Sequence, residues 1–390
     1  MPPTAVPANA GKDRRKIASR KVVRVGGAAV DADDSLTVWV DRYLDLAVRG
    51  VRSAEVAAKI ARHLDRFRAF IVAGLGHDRV SAVTAREVAG WREHLAATEV
   101  RPRRGGRTQT LAPATVNNHL AHLSAFFTWT LAHAPAGLLP HGDPTSRVEL
   151  LRLPAPEPRA LSAAQVRTVK NVLDRLEGFH RLRGRRHGDG DRAVHRHARP
   201  LRDRAIVHLL LGAGLRRAEV AGLNLDQLDP MTPAELRRVK RARLVGVRGK
   251  GRTSRTVFLG RDVRMAIADY LERERPDDAG ADLDETATAL FVAARSIATR
   301  RPDGRLSPRS INTIVAEVGG IHDLEVSGAD RQLGALRPHD LRHTFAFQLS
   351  QVSGHNRAEL ERRLGHANDR YLRLYTNPPE DVAAGYVEDL

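Results

Sequence analysis

The sequence predicts a mostly α-helical protein in two parts: an all-α, four-helix N-terminal domain, then a mixed α+β C-terminal domain with a small antiparallel sheet. Three observations carry that expectation. Apolar residues recur at 3–4 spacing from Ser35 to Ala134, the period of an amphipathic helix. Prolines crowd residues 140–160 and divide the chain. Farther on, β-branched runs flank Gly249-Lys250-Gly251 and read as a hairpin. A chain of 390 residues is long enough for two hydrophobic cores.

In order along the chain, residues 1–32 are Pro-, Ala- and Gly-rich and basic, and read as a flexible tail. The helical domain is placed at 33–139. Its first helix carries Trp39, Tyr43 and Leu44, with Leu46 and Ala47. The second runs over about Ser53–Ala73, and the third opens on the capping box Thr84-x-x-Glu87. The fourth follows Ala112-Pro113 and aligns Val116, Leu120, Leu123 and Phe127 on one face. Before it lies the basic loop RPRRGGRTQT, and Asn117, Asn118 and His119 follow in its first turns. Loop and asparagines suit the edge of a nucleic-acid groove, and equally a solvated surface. Pro140, Pro144, Pro154, Pro156 and Pro158 make 140–160 an extended linker. The second domain, 161–390, opens with the cap Ser162-x-x-Gln165. Residues 181–199 lack apolar periodicity and read as a surface insertion; a solvated loop is a stronger reading of His187, His195 and His197 than a metal site.

A net charge of +18, in which Arg far outnumbers Lys, implies a polyanionic partner. Nucleic acid fits better than membrane, because guanidinium groups pair bidentately with phosphate and no basic amphipathic anchor stands out. With no cysteine there is no disulfide, thiolate metal site or thiol nucleophile. No run approaches ~18 apolar residues, and the N-terminus lacks a signal-peptide core, so a cytoplasmic, nucleoid-associated protein is expected.

Four stretches carry chemistry. In LLLGAGLRRAEVAGL (209–223), Arg216 and Arg217 open a helix after a Gly turn. A cation is mildly disfavoured there, which makes sense if a phosphate is held; an ion-paired turn is the alternative. Glu219, three residues on, can orient Arg216. In RLVGVRGKGRTSRTVFL (243–259), Lys250 stands at the hairpin tip among Arg248, Arg252 and Arg255. Those charges depress its pKa toward acid chemistry, although a tip lysine is usually only solvated. The G-x-x-x-x-G-K-[ST] phosphate loop is absent. In LRPHDLRHTFAF (336–347), Leu341, Phe345 and Leu349 form a buried stripe beside His339, Arg342 and His343. A zinc protease would need Glu where Asp340 stands, and flanking arginines repel a dication, so no metal site is expected. Arginine beside histidine suits a phosphodiester in transfer: one holds the non-bridging oxygens, the other moves a proton. In RRLGHANDRYLRLYTN (362–377), Tyr375 follows His366 by nine residues and is the candidate nucleophile, with Tyr371 its rival.

The joint order GLRRAE, GKG, HDLRHTF and LGH, with Tyr375 nine residues later, resembles the tyrosine recombinases, or phage integrases. The resemblance covers roughly residues 33–390 and implies a core-binding domain followed by a tyrosine-recombinase catalytic domain. It implies that Arg216 and Arg342 clamp the scissile phosphate, Glu219 supports Arg216, and Lys250 protonates the leaving 5′ oxygen. His339 would act as general acid/base, His366 would hydrogen-bond the phosphate, and Tyr375 would form a 3′-phosphotyrosyl bond. Asn117, Asn118, Arg217, Arg248, Arg252 and Arg255 are the expected DNA contacts. Neither ATP nor metal is implied. The implied partners are double-stranded recombination sites, a homotetramer built by exchange of the C-terminal helix, and an accessory directionality factor. Val382, Tyr386 and Leu390 form the stripe for that exchange; packing within its own chain is the alternative. A mobile-element integrase is the leading reading. Alternatives are a dimer resolvase, a type IB topoisomerase-like nicking-closing enzyme, a DNA-binding protein without catalysis and a metallohydrolase. The insertions at 181–199 and 229–243 depart from the family pattern.

Overall fold

The computed structural model describes residues 22–25, 28–101, 108–153, 159–180, 197–249, 253–280, 288–328 and 331–365. They fall into two compact units, Met1–Ala155 and Pro156–Leu390. Among the described residues, no helix is long and apolar enough to cross a membrane.

The N-terminal unit is built on four principal helices: α1 (Leu36–Tyr43), α2 (Ala54–Leu75), α3 (Ala85–Ala97) and α4 (Pro113–His133). Local chemistry sets their ends. The hydroxyls of Ser35 and Ser53 accept the Val38 and Val56 N–H groups. Thr84 and Glu87 close a reciprocal capping box, and Gly76 ends α2 at φ 72°. Trp39, Phe67, Trp91, Phe126 and Phe127 fill the core between the helices, each burying an aromatic payload that a small domain needs.

Two features depart from an all-α unit with a flexible tail. Val22–Val25 pairs antiparallel with Ala28–Asp31, and Glu99–Val100 with Gln109–Thr110. Val22, Val23 and Val25 favour an extended strand, and Gly26-Gly27 between the first pair is a hairpin signal in the sequence. The second pair brackets residues 102–107 of the basic stretch, which lie outside the described residues. The expected linker also differs. Leu138, Leu139, Val148 and Leu151 pack on the N-terminal core, because the Pro-rich segment carries enough apolar side chains to be worth burying.

The C-terminal unit opens with α5 (Ala163–Asp174), whose Ser162–Gln165 box is closed on both sides. Next comes α6 (Pro200–Ala213), buried on nearly every face, and the short α7 (Arg217–Ala221). The strands β1 (Leu228–Asp229), β2 (Ala242–Arg248) and β3 (Ser254–Leu259) form a three-stranded antiparallel sheet in that order. The expected insertion at 229–243 overlaps the ends of the first two strands, and between them it forms the short helix Pro233–Arg238, anchored by the buried Leu236. The unit continues with α8 (Arg261–Arg273), α9 (Pro308–Glu325), α10 (Pro338–Val352) and α11 (Arg357–Leu364). Its core gathers Ile206, Leu210, Val220, Leu244, Val257, Ile267, Tyr270, Phe291, Ile311 and Leu341. Each large aliphatic side chain buried there is worth about 1.5–3 kcal/mol. Leu341 joins that core, whereas Phe345 and Leu349 are only partly buried and pack on Ala346, Leu360 and Leu364. The helix α10 thus bridges the main core and α11.

Candidate active site

Everything at this site turns on one carboxylate. Glu219, in the first turn of α7, is buried and takes two hydrogen bonds from Arg216. The Arg216 backbone N–H meets Oε2 at 2.9 Å and its Nη1 meets Oε1 at 2.9 Å. Burial alone would raise the Glu219 carboxyl. Hydrogen bonds from Arg255 and Arg216, with the charges of Arg255 and Arg342, outweigh that and hold it below the usual range.

Arg342 projects from α10 and is 2 % exposed. Its Nη1 donates to the Gly214 carbonyl at 2.5 Å, its Nη2 to the Leu364 carbonyl at 2.6 Å, and Nη1 stands 3.9 Å from Glu219 Oε2. A buried guanidinium needs such acceptors to offset its desolvation. The carbonyl at 214 is available because Gly214 ends α6 at φ 60°. A Cβ there would stand 2.2 Å from Cδ1 of Phe345, so only glycine fits both the left-handed turn and the close approach.

Arg255, on β3, was expected to face DNA; it turns inward instead, its side chain 11 % exposed. Its Nη1 and Nη2 meet Oε1 and Oε2 of Glu219 at 3.0 and 2.7 Å, and Nε donates to the Arg363 carbonyl at 3.0 Å. Arg216 Nη2 reaches the Gly365 carbonyl at 3.2 Å. Three successive carbonyls at the end of α11 (Arg363, Leu364 and Gly365) therefore each accept from a different arginine: Arg255, Arg342 and Arg216. Cations belong at this negative end of a helix.

The pair Arg216 and Arg342 opens onto a cleft of about 590 Å³, lined also by Arg217, Asn312, Arg337 and His339. Arg217 and Arg337 are exposed on its rim. The Arg337 N–H is capped by Asp340 Oδ2 at 2.9 Å. His339 packs edge-on against His343, ring centroids 4.1 Å apart. Partial desolvation, then the Arg342 charge, lower the His339 pKa; desolvation, then His339 and Arg342, lower His343 to about 4. Both rings are neutral at neutral pH, so His339 is set to accept a proton.

The described residues thus bring together Arg216, Glu219, Arg255, His339 and Arg342. Lys250, Arg252, His366, Tyr371 and Tyr375 lie outside the described residues. Arg248 is exposed on the sheet. In the N-terminal unit Asn118 is exposed, but the carboxamide of Asn117 is engaged: Nδ2 donates to the Leu151 carbonyl at 2.8 Å and Oδ1 accepts its N–H at 2.9 Å. That clasp satisfies a returning backbone segment and takes Asn117 away from the DNA-facing role expected of it. Among the described residues, no group of three or more His, Asp or Glu is placed to hold a metal ion. Arg337 belongs to the charged stretch that the sequence singles out, whereas Asn312 in the cleft wall was missed. Sequence reasoning also missed Asp340 as a cap, although Asp three residues after Arg337 is a recognisable capping spacing.

The phage integrase family profile matches residues 192–381. The tyrosine recombinase XerC of a Mycobacterium species is 31 % identical over 267 residues, covering 68 % of this chain and 74 % of that relative. The chain belongs to the phage integrase family, the tyrosine recombinases. A second family member, XerC of Pseudomonas syringae pv. tomato, is 34 % identical over 177 residues, or 45 % of this chain. The chain spans about half, 48 %, of that relative's length. Among solved structures, the Tn1549 transposon integrase in complex with a circular intermediate DNA superposes with a TM-score of 0.62 at 17 % identity, covering 92 % of this chain and all (100 %) of that one. XerH bound to difH superposes at 0.57 and 15 % identity, covering 94 % and 98 %. At such identities the likeness is one of fold. The chain therefore shares its mostly helical, two-domain architecture with these structures.

Proposed function

We propose that this recombinase cuts and rejoins double-stranded DNA at specific sites through a 3′-phosphotyrosyl intermediate. The observation that carries the reading is the paired arginine site: Arg216 and Arg342, held on one buried carboxylate, line a single cleft with His339 beside them. Two preset guanidiniums suit the non-bridging oxygens of a phosphodiester whose charge grows in the transition state. Tyr375 Oη attacks phosphorus, its proton passes to His339, and the bond to the 5′ oxygen breaks as Lys250 protonates it. The 5′ hydroxyl of a second strand reverses the step, so bond energy is retained without ATP. His366 adds a hydrogen bond to the phosphate. The domain scheme is a core-binding domain at 33–139 and a catalytic domain at 161–390.

Asn118, Arg217, Arg248 and Arg252 are the proposed DNA contacts, and the assembly is a homotetramer on DNA. Val382, Tyr386 and Leu390 form the apolar stripe that docks on a neighbouring protomer. The protein works in the cytoplasm, with an accessory factor setting direction. The biological task is integration of a mobile element, with dimer resolution the alternative.

The test is a pool of nicked duplexes with randomised arms, incubated in EDTA and denatured. Wild type is expected to yield a covalent protein–DNA adduct, and Tyr375→Phe none. An adduct that persists in Tyr375→Phe moves the nucleophile to Tyr371, and dependence on metal overturns the mechanism. Binding falls by about 10³–10⁵ between 50 and 200 mM salt if some 6–10 phosphates are neutralised; a flat response counts against DNA. Deleting residues 378–390 abolishes synapsis if the stripe docks in trans.

A further inference from the structure

We propose that Arg255 is a positioning residue that saturates Glu219 and thereby keeps the Arg216 and Arg342 guanidiniums aimed into the cleft. The inference rests on the reading above, in which those two arginines hold the scissile phosphate.

The geometry makes Glu219 a single anion shared by three guanidiniums. Its Oε2 takes Arg255 Nη2 at 2.7 Å and the Arg216 N–H at 2.9 Å, while Arg342 Nη1 waits at 3.9 Å. Opposite charges this close in a poorly solvated site attract strongly. With Arg255 in place, both carboxylate oxygens are already occupied by a bidentate fork, the strongest pairing a carboxylate makes. Take the fork away, and the freed oxygen draws Arg342 across that gap, away from the cleft and from its carbonyl acceptors at Gly214 and Leu364. Arg216, already on Oε1, is drawn the same way.

The third nitrogen gives the fork a fixed base. Arg255 Nε holds the Arg363 carbonyl across 108 positions of sequence, tying β3 to the end of α11. The backbone at Gly365 presses on the same side chain, where a Cβ would stand 3.2 Å from Nη1. Arg216 and Arg342 face the cleft and must turn part of their hydrogen bonding to substrate. Arg255 lines no part of that cleft. It keeps its partners while the other two exchange theirs, which is what an anchor for a clamp requires.

Three proteins test this on the duplex recovered from the adduct pool: wild type, Arg255→Ala and Arg255→Lys. Lysine keeps the charge but cannot span a carboxylate and a carbonyl at once. Single-turnover adduct formation and DNA affinity are measured separately. Both variants are expected to form adduct about 10–100-fold more slowly, the range seen when groups that orient metal ligands are removed. DNA affinity is expected to stay within about threefold, since one internal residue contributes nothing to a phosphate footprint. Millimolar guanidinium added to Arg255→Ala refills the vacated fork and restores much of the rate, where equal sodium chloride does not. Rates within about threefold of wild type overturn the proposal. So does a joint loss of rate, affinity and melting temperature in both variants, which marks a scaffold role, and so does failure of guanidinium to rescue. If wild type itself forms no adduct, the proposed chemistry fails instead, and the two failures are told apart by that lane.

Discussion

Arg342 donates to the Leu364 carbonyl at 2.6 Å, joining the middle of one helix to the last turn of another. Its other nitrogen is committed to Gly214. Lysine offers charge without the fork that reaches both. Arg342→Lys and Arg342→Ala are therefore expected to lower the rate of adduct formation by about 10²–10³, the usual cost of removing a transition-state donor. DNA affinity, measured by gel shift, should change by little.

His339 is kept neutral below the pH at which an ordinary imidazole, near 6.5, takes up a proton. The neutral ring is the form that accepts the tyrosine proton. The cleavage rate is accordingly expected to hold steady as pH falls from about 8 to 6.5 and to decline only at lower pH. In His339→Gln that acid limb disappears along with most of the rate. A pH profile of single-turnover cleavage for both proteins checks this.

Gly214 couples the α6 terminus to Arg342. Gly214→Ala meets both a left-handed φ of 60° and the Phe345 ring. Backbone strain and overpacking each cost about 1–3 kcal/mol, read as a lower midpoint in urea. Gly214→Ala with Phe345→Leu should recover the packing share and leave the backbone share.

In the N-terminal unit, His63 stacks on His119 with ring centroids 3.5 Å apart, and His122 Nδ1 lies 3.0 Å from His63 Nδ1. Burial first, then neighbouring histidines, Lys59 and Arg66, push His63 to about 3 and His119 to about 4. The unfolded chain takes up these protons near 6.5, so stability present above that pH is lost as pH falls toward 4. His119→Leu is expected to flatten that loss, measured as urea midpoint against pH. His119 suits the exchange because its Nδ1 has no hydrogen-bond partner among the described residues.

Asn117→Ala releases the Leu151 backbone, with two hydrogen bonds lost at about 0.5–1.5 kcal/mol each. Limited proteolysis should then cut sooner in residues 140–153. Asn118→Ala should leave that cleavage unchanged and weaken DNA binding.

What could be read from sequence here was local. The boxes Thr84–Glu87 and Ser162–Gln165, and the Arg216–Glu219 contact, span three residues each, so one helical turn dictates them. The face Val116, Leu120, Leu123, Phe127 is buried as its period requires. Contacts over long separations left no such trace. Arg255 meets Glu219 across 36 positions and Asn117 meets Leu151 across 34. A strand arginine among other arginines reads as a surface charge until the fold supplies its carboxylate. The valines before Gly26-Gly27 were a visible hairpin signal, outweighed by the Pro- and Gly-rich composition around them.

Because the acceptors at Arg363, Leu364 and Gly365 are main-chain oxygens, they depend on their register, and the last of them also on the left-handed turn that Gly365 makes at φ 61°. One residue inserted or deleted within α11, ahead of Arg363, would shift all three acceptors in a single stroke. Exchanging the exposed side chain of Arg362 would disturb none. A change of length in this segment is therefore expected to cost more than an exchange of its exposed side chains.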